Sequence, residues 1–575
     1  MAFQVSAGVN VSEIDYSTTI PQVATSVGAI AGFFNWGPCN QVVQITNEIQ
    51  LRDTFGKPGL ARSNTSDVFF TSASFLQYSN DLRVVRVQPT TTYNAVANNS
   101  SNSTCLIAND DVLDAVSAVT DVWVAARYPG SIGNSLKIAY WANTNATEFS
   151  TWSYRGLFNK VTGTSRRARN GFNNTTANDE IHLVVIDENG AITGTPNTVL
   201  EKFEALSVAT NARDTSTGET LYYKSVINQK SKYIRVLGGF PTGLPASNNW
   251  NSDITSSIVF LQSPSSTNVA SFINGSSGTD NSDSKVRDAY AKFANSEDID
   301  ISLLLTAGHS ANVCQYIVQN IAENRKDCVA FLSPGYANSV YNSDTTTSIV
   351  NYRNNALSNL SSSYAVIDSG WKYIYDQYNS QYVWVPLNGD IAGLCARTDQ
   401  VRDPWFSPAG VQRGQIKNVI KLSFNPNKAQ RDTLYQNDIN PVVSFTGEGT
   451  MLYGDKTMQG FASAFDRINV RRLFITLEKA ISRYARTNLF EFNDEFTRSQ
   501  FTNIVTPFLR TVQSRRGIYD FRVVCDSTNN TTDVIDRNEF VGDIYVKPAK
   551  SINFIQLNFV AVRSGVAFEE IVGRI

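Results

Sequence analysis

Apolar and polar residues alternate strictly at the start of the chain, where Phe3, Val5, Ala7, Val9 and Val11 are separated by Gln4, Ser6, Gly8 and Asn10. A period of two is the signature of a strand with one apolar face. Such a strand either completes a sheet of its own domain or adds to the sheet of a neighbour. Residues 27–34 (VGAIAGFF) are an unbroken apolar run, read as a buried strand ended by Trp36-Gly37-Pro38. Two short helices are predicted next, one from Thr46 to Gly56 and one opening at Ser66 or Asp67. A strand at Leu82–Val87 follows. Strand, helices and strand in that order point to an α/β layer.

Beyond Pro89 the pattern lapses. Residues 90–104 are almost all Thr, Asn, Ser and Ala and read as a flexible joint. From there to about residue 244 short strands are predicted at Trp123–Ala126, Leu136–Trp141, Ile181–Ile186 and Tyr233–Leu237, with 160–178 an exposed loop. Residues 255–395 return to α/β periodicity. A helix starts near Ser284, a strand spans Ile301–Leu305, Ser310 caps a helix, and a strand runs over Cys328–Leu332. Trp371–Tyr375 and Tyr382–Val385 flank a polar turn and read as a hairpin.

The last 110 or so residues carry the clearest helical periodicity. Leu473, Phe474, Leu477, Ala480, Ile481 and Tyr484 form one apolar stripe, leaving Arg472, Lys479, Arg483 and Arg486 on the polar side. A second helix is capped by Asn493, turns Phe501, Ile504, Val505, Phe508, Leu509 and Val512 inward, and is kinked at Pro507. Strands at Tyr519–Val524, Phe540–Val546 and Ile552–Val562 complete an α+β domain.

At 575 residues the chain exceeds what one core supports, so three or four domains are expected. The fold class is multidomain α/β and α+β: an α/β domain from 23–93 and 245–395, an inserted β-rich domain at 94–244, and a C-terminal α+β domain at 396–562. Extended arms at 1–22 and 563–575 complete the scheme. Lys and Arg (49) nearly balance Asp and Glu (51), which removes bulk attraction to nucleic acid or an anionic membrane as an organising principle. The six cysteines show no CxxC pair and are expected to be reduced and buried. No basic region followed by an apolar run opens the chain, and no apolar run nears the ~18 residues a membrane span needs. Synthesis in a cytoplasm without a signal peptide is the expectation.

Chemistry is sparse. The two histidines, His182 and His309, are far apart in sequence and read as structural residues, not metal ligands. Ser310 beside His309 has no motif of a catalytic triad around it. Gly278–Asp283 lacks the central glycine and closing glutamate of a calcium loop, and Gly454-Asp455-Lys456-Thr457 lacks the upstream phosphate cradle. No catalytic, cofactor or metal site is assigned, and a non-enzymatic role is expected.

Gly8-Val9-Asn10-Val11-Ser12-Glu13-Ile14, Tyr128-Pro129-Gly130 with Gly133-Asn134, and Ala396-Arg397-Thr398-Asp399 followed by Trp405 occur in order along the chain. So do Arg467-Ile468-Asn469-Val470-Arg471-Arg472-Leu473, Phe490-Glu491-Phe492-Asn493-Asp494-Glu495 and Val546-Lys547-Pro548-Ala549. Together they resemble the contractile-tail sheath family of bacteriophages and related injection machines. That resemblance implies a virion protein assembled in the host cytoplasm. It would polymerise as stacked hexameric rings around a tail tube, meeting baseplate and terminator proteins, with no direct nucleic acid contact and no membrane insertion. It further implies that 94–244 faces outward and 396–562 faces the tube. The terminal arms would add strands to neighbouring sheets through Val5, Val9, Val11, Ile14, Val566 and Phe568. Lys479, Arg483 and Arg486 are the expected tube-facing cations, with a merely solvated helix face as the other reading. A β-rich glycan-binding tail or surface protein, or a hydrolase with an unrecognised site, are the rival classes.

Overall fold

The computed structural model describes residues 23–61, 63–97, 104–113, 122–241, 244, 248–260, 268–358 and 360–553. The arm residues Val5, Val9, Val11, Ile14, Val566 and Phe568, and nearly all of the predicted strand Ile552–Val562, lie outside them. The chain divides into two compact units. The larger runs to Pro404 and again over Pro408–Thr487, and the smaller takes Trp405–Ser407 with the chain from Asn488.

The larger unit is organised on a six-stranded sheet of β1 (Gly28–Gly32), β2 (Val42–Ile45), β3 (Leu82–Arg86), β4 (Leu303–Leu305), β5 (Val329–Leu332) and β6 (Ala365–Ile367), in the order β6-β5-β4-β1-β3-β2. Every pair is parallel except β2 with β3. A parallel sheet is covered on both faces, and alternate residues divide accordingly. Ile30, Val84, Leu303, Leu305 and Phe331 belong to one core, and Ala29, Ala31, Val85, Leu304 and Leu332 to the other. The first core is closed by the helices Asn64–Leu76 and Asn388–Val401. These two helices pack at glycine distance: a methyl group on Gly389 would lie 2.4 Å from the Thr71 carbonyl oxygen, and one on Gly393 2.4 Å from the Tyr78 ring. Helices Asp283–Tyr290 and Ala311–Tyr316 serve the second core.

The helix starts shift from their predicted positions for local reasons. Asn47, not Thr46, caps Glu48–Phe55, because the Thr46 N–H and hydroxyl are taken by the Gln50 side chain. Ser63 caps the second helix by accepting from Ser66 N. Ser310 caps its helix as expected. The hairpin of β7 (Trp371–Asp376) and β8 (Gln381–Pro386) pairs in full register, from Trp371 with Pro386 to Asp376 with Gln381.

Between β3 and β4 lies a β-rich region of antiparallel sheets, a three-stranded one of Ile234–Val236, Val124–Ala126 and Val96–Ala97, and a four-stranded one of Val269–Ser271, Leu136–Trp141, Glu180–Asp187 and Thr198–Ser207. Three expectations change here. Residues 92–97, read as flexible joint, are mostly buried and paired, because the Asn94 side chain accepts from Ile107 N at 2.7 Å and donates to the Ala126 carbonyl at 2.8 Å. The loop read at 160–178 contains a helix, Arg166–Phe172, capped by Ser165 and stopped by left-handed Asn173. The β region also passes the expected boundary at 244, since Val269–Ser271 pairs with Lys137–Ala139 and Ser276–Ser277 with Thr92–Tyr93.

An ion pair sits inside the first core. Lys372 Nζ of β7 and Asp390 Oδ1 are 2.9 Å apart with both side chains fully buried, and the Tyr78 hydroxyl donates to the same carboxylate at 3.1 Å. Burial pushes the Tyr78 pKa well above its ordinary value, so the hydroxyl keeps its proton and its donor role. Removing one member strands the other charge in low dielectric, which costs about 3–5 kcal/mol. Lys372→Met is therefore expected to lose stability of that order in denaturant unfolding, and Lys372→Met with Asp390→Asn to recover most of it. Equal losses in both variants would contradict this account.

Candidate functional site

Three remote segments meet where the described chain begins. Thr25 donates its hydroxyl proton to Asp399 Oδ2 at 2.6 Å, and Arg472 Nη2 reaches the same oxygen at 2.6 Å. Arg472 also donates to the carbonyls of Thr25 and Cys395, each at 3.2 Å. One residue earlier, the Ala24 carbonyl accepts from the Ser302 hydroxyl at 3.1 Å. Asp399 lies near the end of helix Asn388–Val401 and Arg472 in the second turn of helix Ile468–Ala485. The Arg472 side chain, expected on the polar face, is buried: its guanidinium finds a carboxylate and two carbonyls inside, so a helical residue off the apolar stripe still faces protein.

The same helix carries two of the three cations expected to face a tube, Lys479 and Arg483, and the third, Arg486, is its C-cap. Lys479 is largely buried, donating to Asp300 Oδ1 at 2.9 Å, the Ile301 carbonyl at 2.8 Å and Ser302 Oγ at 3.1 Å, with Asp327 at 3.8 Å. Arg483 is half-exposed and lies 3.6 Å from the other oxygen of Asp300. Arg486 is exposed and pairs with no carboxylate among the described residues. Lys479 is thus turned onto its own subunit, and only Arg483 and Arg486 leave charge at the surface.

In the smaller unit, helix Glu495–Ser514 packs beside a two-stranded antiparallel sheet of β9 (Ile518–Val524) and β10 (Asp543–Pro548). Its N-cap is Asp494, accepting from Thr497 N at 2.8 Å. Asn493, the expected cap, instead donates to the Glu539 carbonyl at 2.8 Å and to Asn530 Oδ1 at 3.2 Å. Phe501, Val505, Leu509 and Val512 face inward as the periodicity requires, and Pro507 lies within the helix. Neither outer edge of the β9–β10 sheet has a strand partner among the described residues. A two-stranded sheet is marginal alone, and unpaired edges are templates for another strand.

The titratable groups are arranged for packing. His182 Nδ1 accepts from Ala205 N at 2.9 Å, so Nε2 carries the proton and donates to the Lys160 carbonyl at 2.8 Å. His309 Nε2 donates to the Ala31 carbonyl of β1 at 2.9 Å. Burial pushes both imidazoles below their ordinary pKa. All six cysteines are buried and unpaired. Burial raises their pKa values, to about 12 for Cys314, Cys328 and Cys395. Among the described residues no three His, Cys, Asp or Glu side chains form a group that could hold a metal ion, and no helix is long and apolar enough to cross a membrane.

A buried clamp at the lead-in to β1 and a two-stranded sheet near the end of the described chain are thus the features that frame the comparison with known proteins. Three family descriptions match along the chain: the tail sheath protein Gp18 domain III N-terminal region at residues 25–87, the phage tail sheath protein central domain at 281–458, and the phage tail sheath C-terminal domain at 462–561. The chain is 35% identical to the tail sheath protein of Vibrio phage KVP40 and 34% identical to that of Enterobacteria phage T4, each alignment covering 99% of both chains. Its fold is similar to that of a sheath tail protein from Desulfitobacterium hafniense, at 11% identity with a TM-score of 0.50, covering 94% of this chain and 100% of that one. The chain belongs to the contractile phage tail sheath family.

Two measurements bear on this geometry. Arg472→Met leaves Asp399 buried without its cation and is expected to cost about 3–5 kcal/mol, whereas Thr25→Val is expected to cost about 1 kcal/mol. Comparable losses by denaturant unfolding would show that the ion pair is not the dominant element. The histidines give a pH dependence. Their folded pKa values lie below the unfolded value of about 6.5, so the stability they contribute is complete above that pH and is lost as pH falls below it. Glu204 and Lys160 face His182, and Asp283 faces His309. His182→Gln with His309→Gln is expected to flatten the fall in melting temperature between about pH 6.5 and 5 relative to the parent chain. Parallel pH profiles would rule this out.

Proposed function

We propose that this chain is the structural subunit of a phage contractile tail sheath, polymerising helically around the tail tube and repacking to drive the tube through a host envelope. The observation that carries this reading is the β9–β10 sheet, whose outer edges have no strand partner among the described residues, in a chain that opens on an alternating apolar segment. Strands donated by the arms of neighbouring copies would complete that sheet. Backbone hydrogen bonds then supply the attachment, and side-chain alternation supplies the register. Donor and acceptor surfaces differ, so the contact is heterologous and propagates as an open helix.

Val5, Val9, Val11 and Ile14 are the donated N-terminal positions, and Val566 and Phe568 those of the C-terminal arm. The Thr25–Asp399–Arg472 clamp supports the reading by fixing the point at which the N-terminal arm leaves the folded unit. Tension on the arm then reaches the sheet instead of peeling β1 away. Contraction is a change between two packings of nearly rigid subunits, and a few kcal/mol per subunit, repeated over an array, does the work without a nucleotide. The partners are further copies, the tail tube protein, and the baseplate and terminator proteins. The subunit acts in the virion after assembly in the host cytoplasm. Arg483 and Arg486, with Lys479 fixing the helix against Asp300, form the surface proposed to meet acidic tube residues.

Deleting residues 1–14 is expected to abolish long hollow cylinders in negative-stain microscopy while leaving a folded monomer by circular dichroism. Cylinders that persist after the deletion would refute arm exchange. Discrete particles with glycan affinity from the intact chain would favour a binding protein instead.

A further inference from the structure

The loop that opens the smaller unit shows its apolar side chains to solvent. Leu489, Phe490, Phe492 and Phe496 are all exposed, and the three phenylalanines are the most exposed of that residue among the described residues, Phe490 entirely so. Phe490 also has φ +72°, a left-handed conformation that is costly for a bulky side chain and that persists where surrounding structure imposes it. The imposition is visible. The Asn493 side chain ties the loop from beneath to Asn530 and Glu539, and Asp494 caps the following helix. Exposure and backbone strain therefore coincide in a loop that is held, not loose. Between the rings stand three carboxylates, Glu491, Asp494 and Glu495, all exposed. Of the two cations that flank the loop in sequence, Arg498 is half-buried and turned to the Asn530 carbonyl, and Arg486 is exposed before Asn488, so the three carboxylates outnumber the exposed positive charge.

The complementary surface occurs in the larger unit. At the end of helix Asn388–Val401 and on the turn that follows, Val401 and Val411 are exposed apolar side chains. Around them are Arg397, Arg402, Arg413 and Lys417, with Lys417 Nζ 4.7 Å above the Tyr78 ring. These cations crowd one another. The pKa of Arg413 is lowered by burial and by the charge of Arg402, and that of Lys417 by burial and by the charge of Arg397. The carboxylates beside them, Asp399 and Asp403, are buried, and Asp399 is already paired with Arg472. Exposed Arg402 thus stands beside exposed Val401 with Arg413 near it, so cation and apolar side chain adjoin here as carboxylate and aromatic ring do in the loop.

We infer that the acidic aromatic loop Asn488–Phe496 of one copy docks on the basic surface around Val401 and Arg402 of a second copy, with Phe490 and Phe492 against the valines and Glu491 facing Arg402. Aromatic anchors in an apolar centre supply most of such a contact, and complementary charge at the rim sets partner and register. Knob and receptor are different surfaces, so each copy offers one of each and the contact propagates in one direction. This second linkage rests on the sheath reading and is independent of the terminal arms.

The test uses the full chain and its assembly, followed by sedimentation and negative-stain microscopy. Glu491→Arg alone and Arg402→Glu alone are each expected to raise the concentration needed for assembly by about tenfold, and the two combined in one chain to restore it to within about threefold. Phe490→Ser with Phe492→Ser is expected to match the single reversals, with circular dichroism and melting temperature of the monomer unchanged in every variant. Arrays formed by both single reversals as readily as by the parent chain would overturn the contact while leaving the sheath reading in place. So would failure of the combined reversal to recover, or loss only of co-assembly with purified tube protein. A parent chain that forms no helical array at all would instead overturn the sheath reading, and this inference with it.

Discussion

Thr25, Asp399 and Arg472 span 447 residues of sequence and meet within a single buried hydrogen-bond network. Two charges removed from water are costly unless geometry and additional hydrogen bonds compensate, and here both donors converge on Asp399 Oδ2 while its Oδ1 is buried without a partner among the described residues. The guanidinium faces a carboxylate and two carbonyls, while the carboxylate receives a hydroxyl proton as well as the arginine. The consequence is topological. The residues that lead into β1, the end of the helix lying on the sheet, and the helix Ile468–Ala485 are fixed to one another in one place. The α/β sheet gives that place rigidity, because β1 is a central strand flanked by β4 and β3.

The balance of charge in this protein is local as well as global. Lys372 answers Asp390 in one core, Arg472 answers Asp399 at the clamp, and Lys479 answers Asp300 beside the start of β4. The two histidines are kept neutral and hydrogen-bonded. These are contacts within the fold of a chain that belongs to the contractile phage tail sheath family.

How much of this was legible in the sequence follows from the range of the forces involved. Strand and helix positions set by local periodicity came through well: Leu136–Trp141, the β7–β8 hairpin and the Ser310 cap are where alternation and capping chemistry put them. The family motifs were equally readable because they are linear. What failed depended on partners far along the chain. Polar residues 92–97 looked like a linker because the pattern holds no sign that Asn94 is satisfied by Ile107 and Ala126. Arg472 and Lys479 looked solvent-facing because amphipathicity sorts side chains by type, while burial here is decided by Asp399 and Asp300, 73 and 179 residues away. Asn493 and Asp494 are both good caps, and only the tertiary hydrogen bonds to Asn530 and Glu539 decide which is free to act. The acidic aromatic loop was read purely as a family motif, since no linear pattern distinguishes a phenylalanine that packs from one that protrudes.

The six buried cysteines carry a further implication. A sulfur that holds its proton at neutral pH neither attacks a disulfide nor takes up peroxide readily, and burial raises the pKa of each of these thiols. The fold accordingly contains no covalent crosslink to be reduced and no nucleophilic sulfur to be oxidised. Its shape is written in packing, hydrogen bonds and ion pairs, so the thiols give a change between reducing and aerated surroundings no handle on the fold.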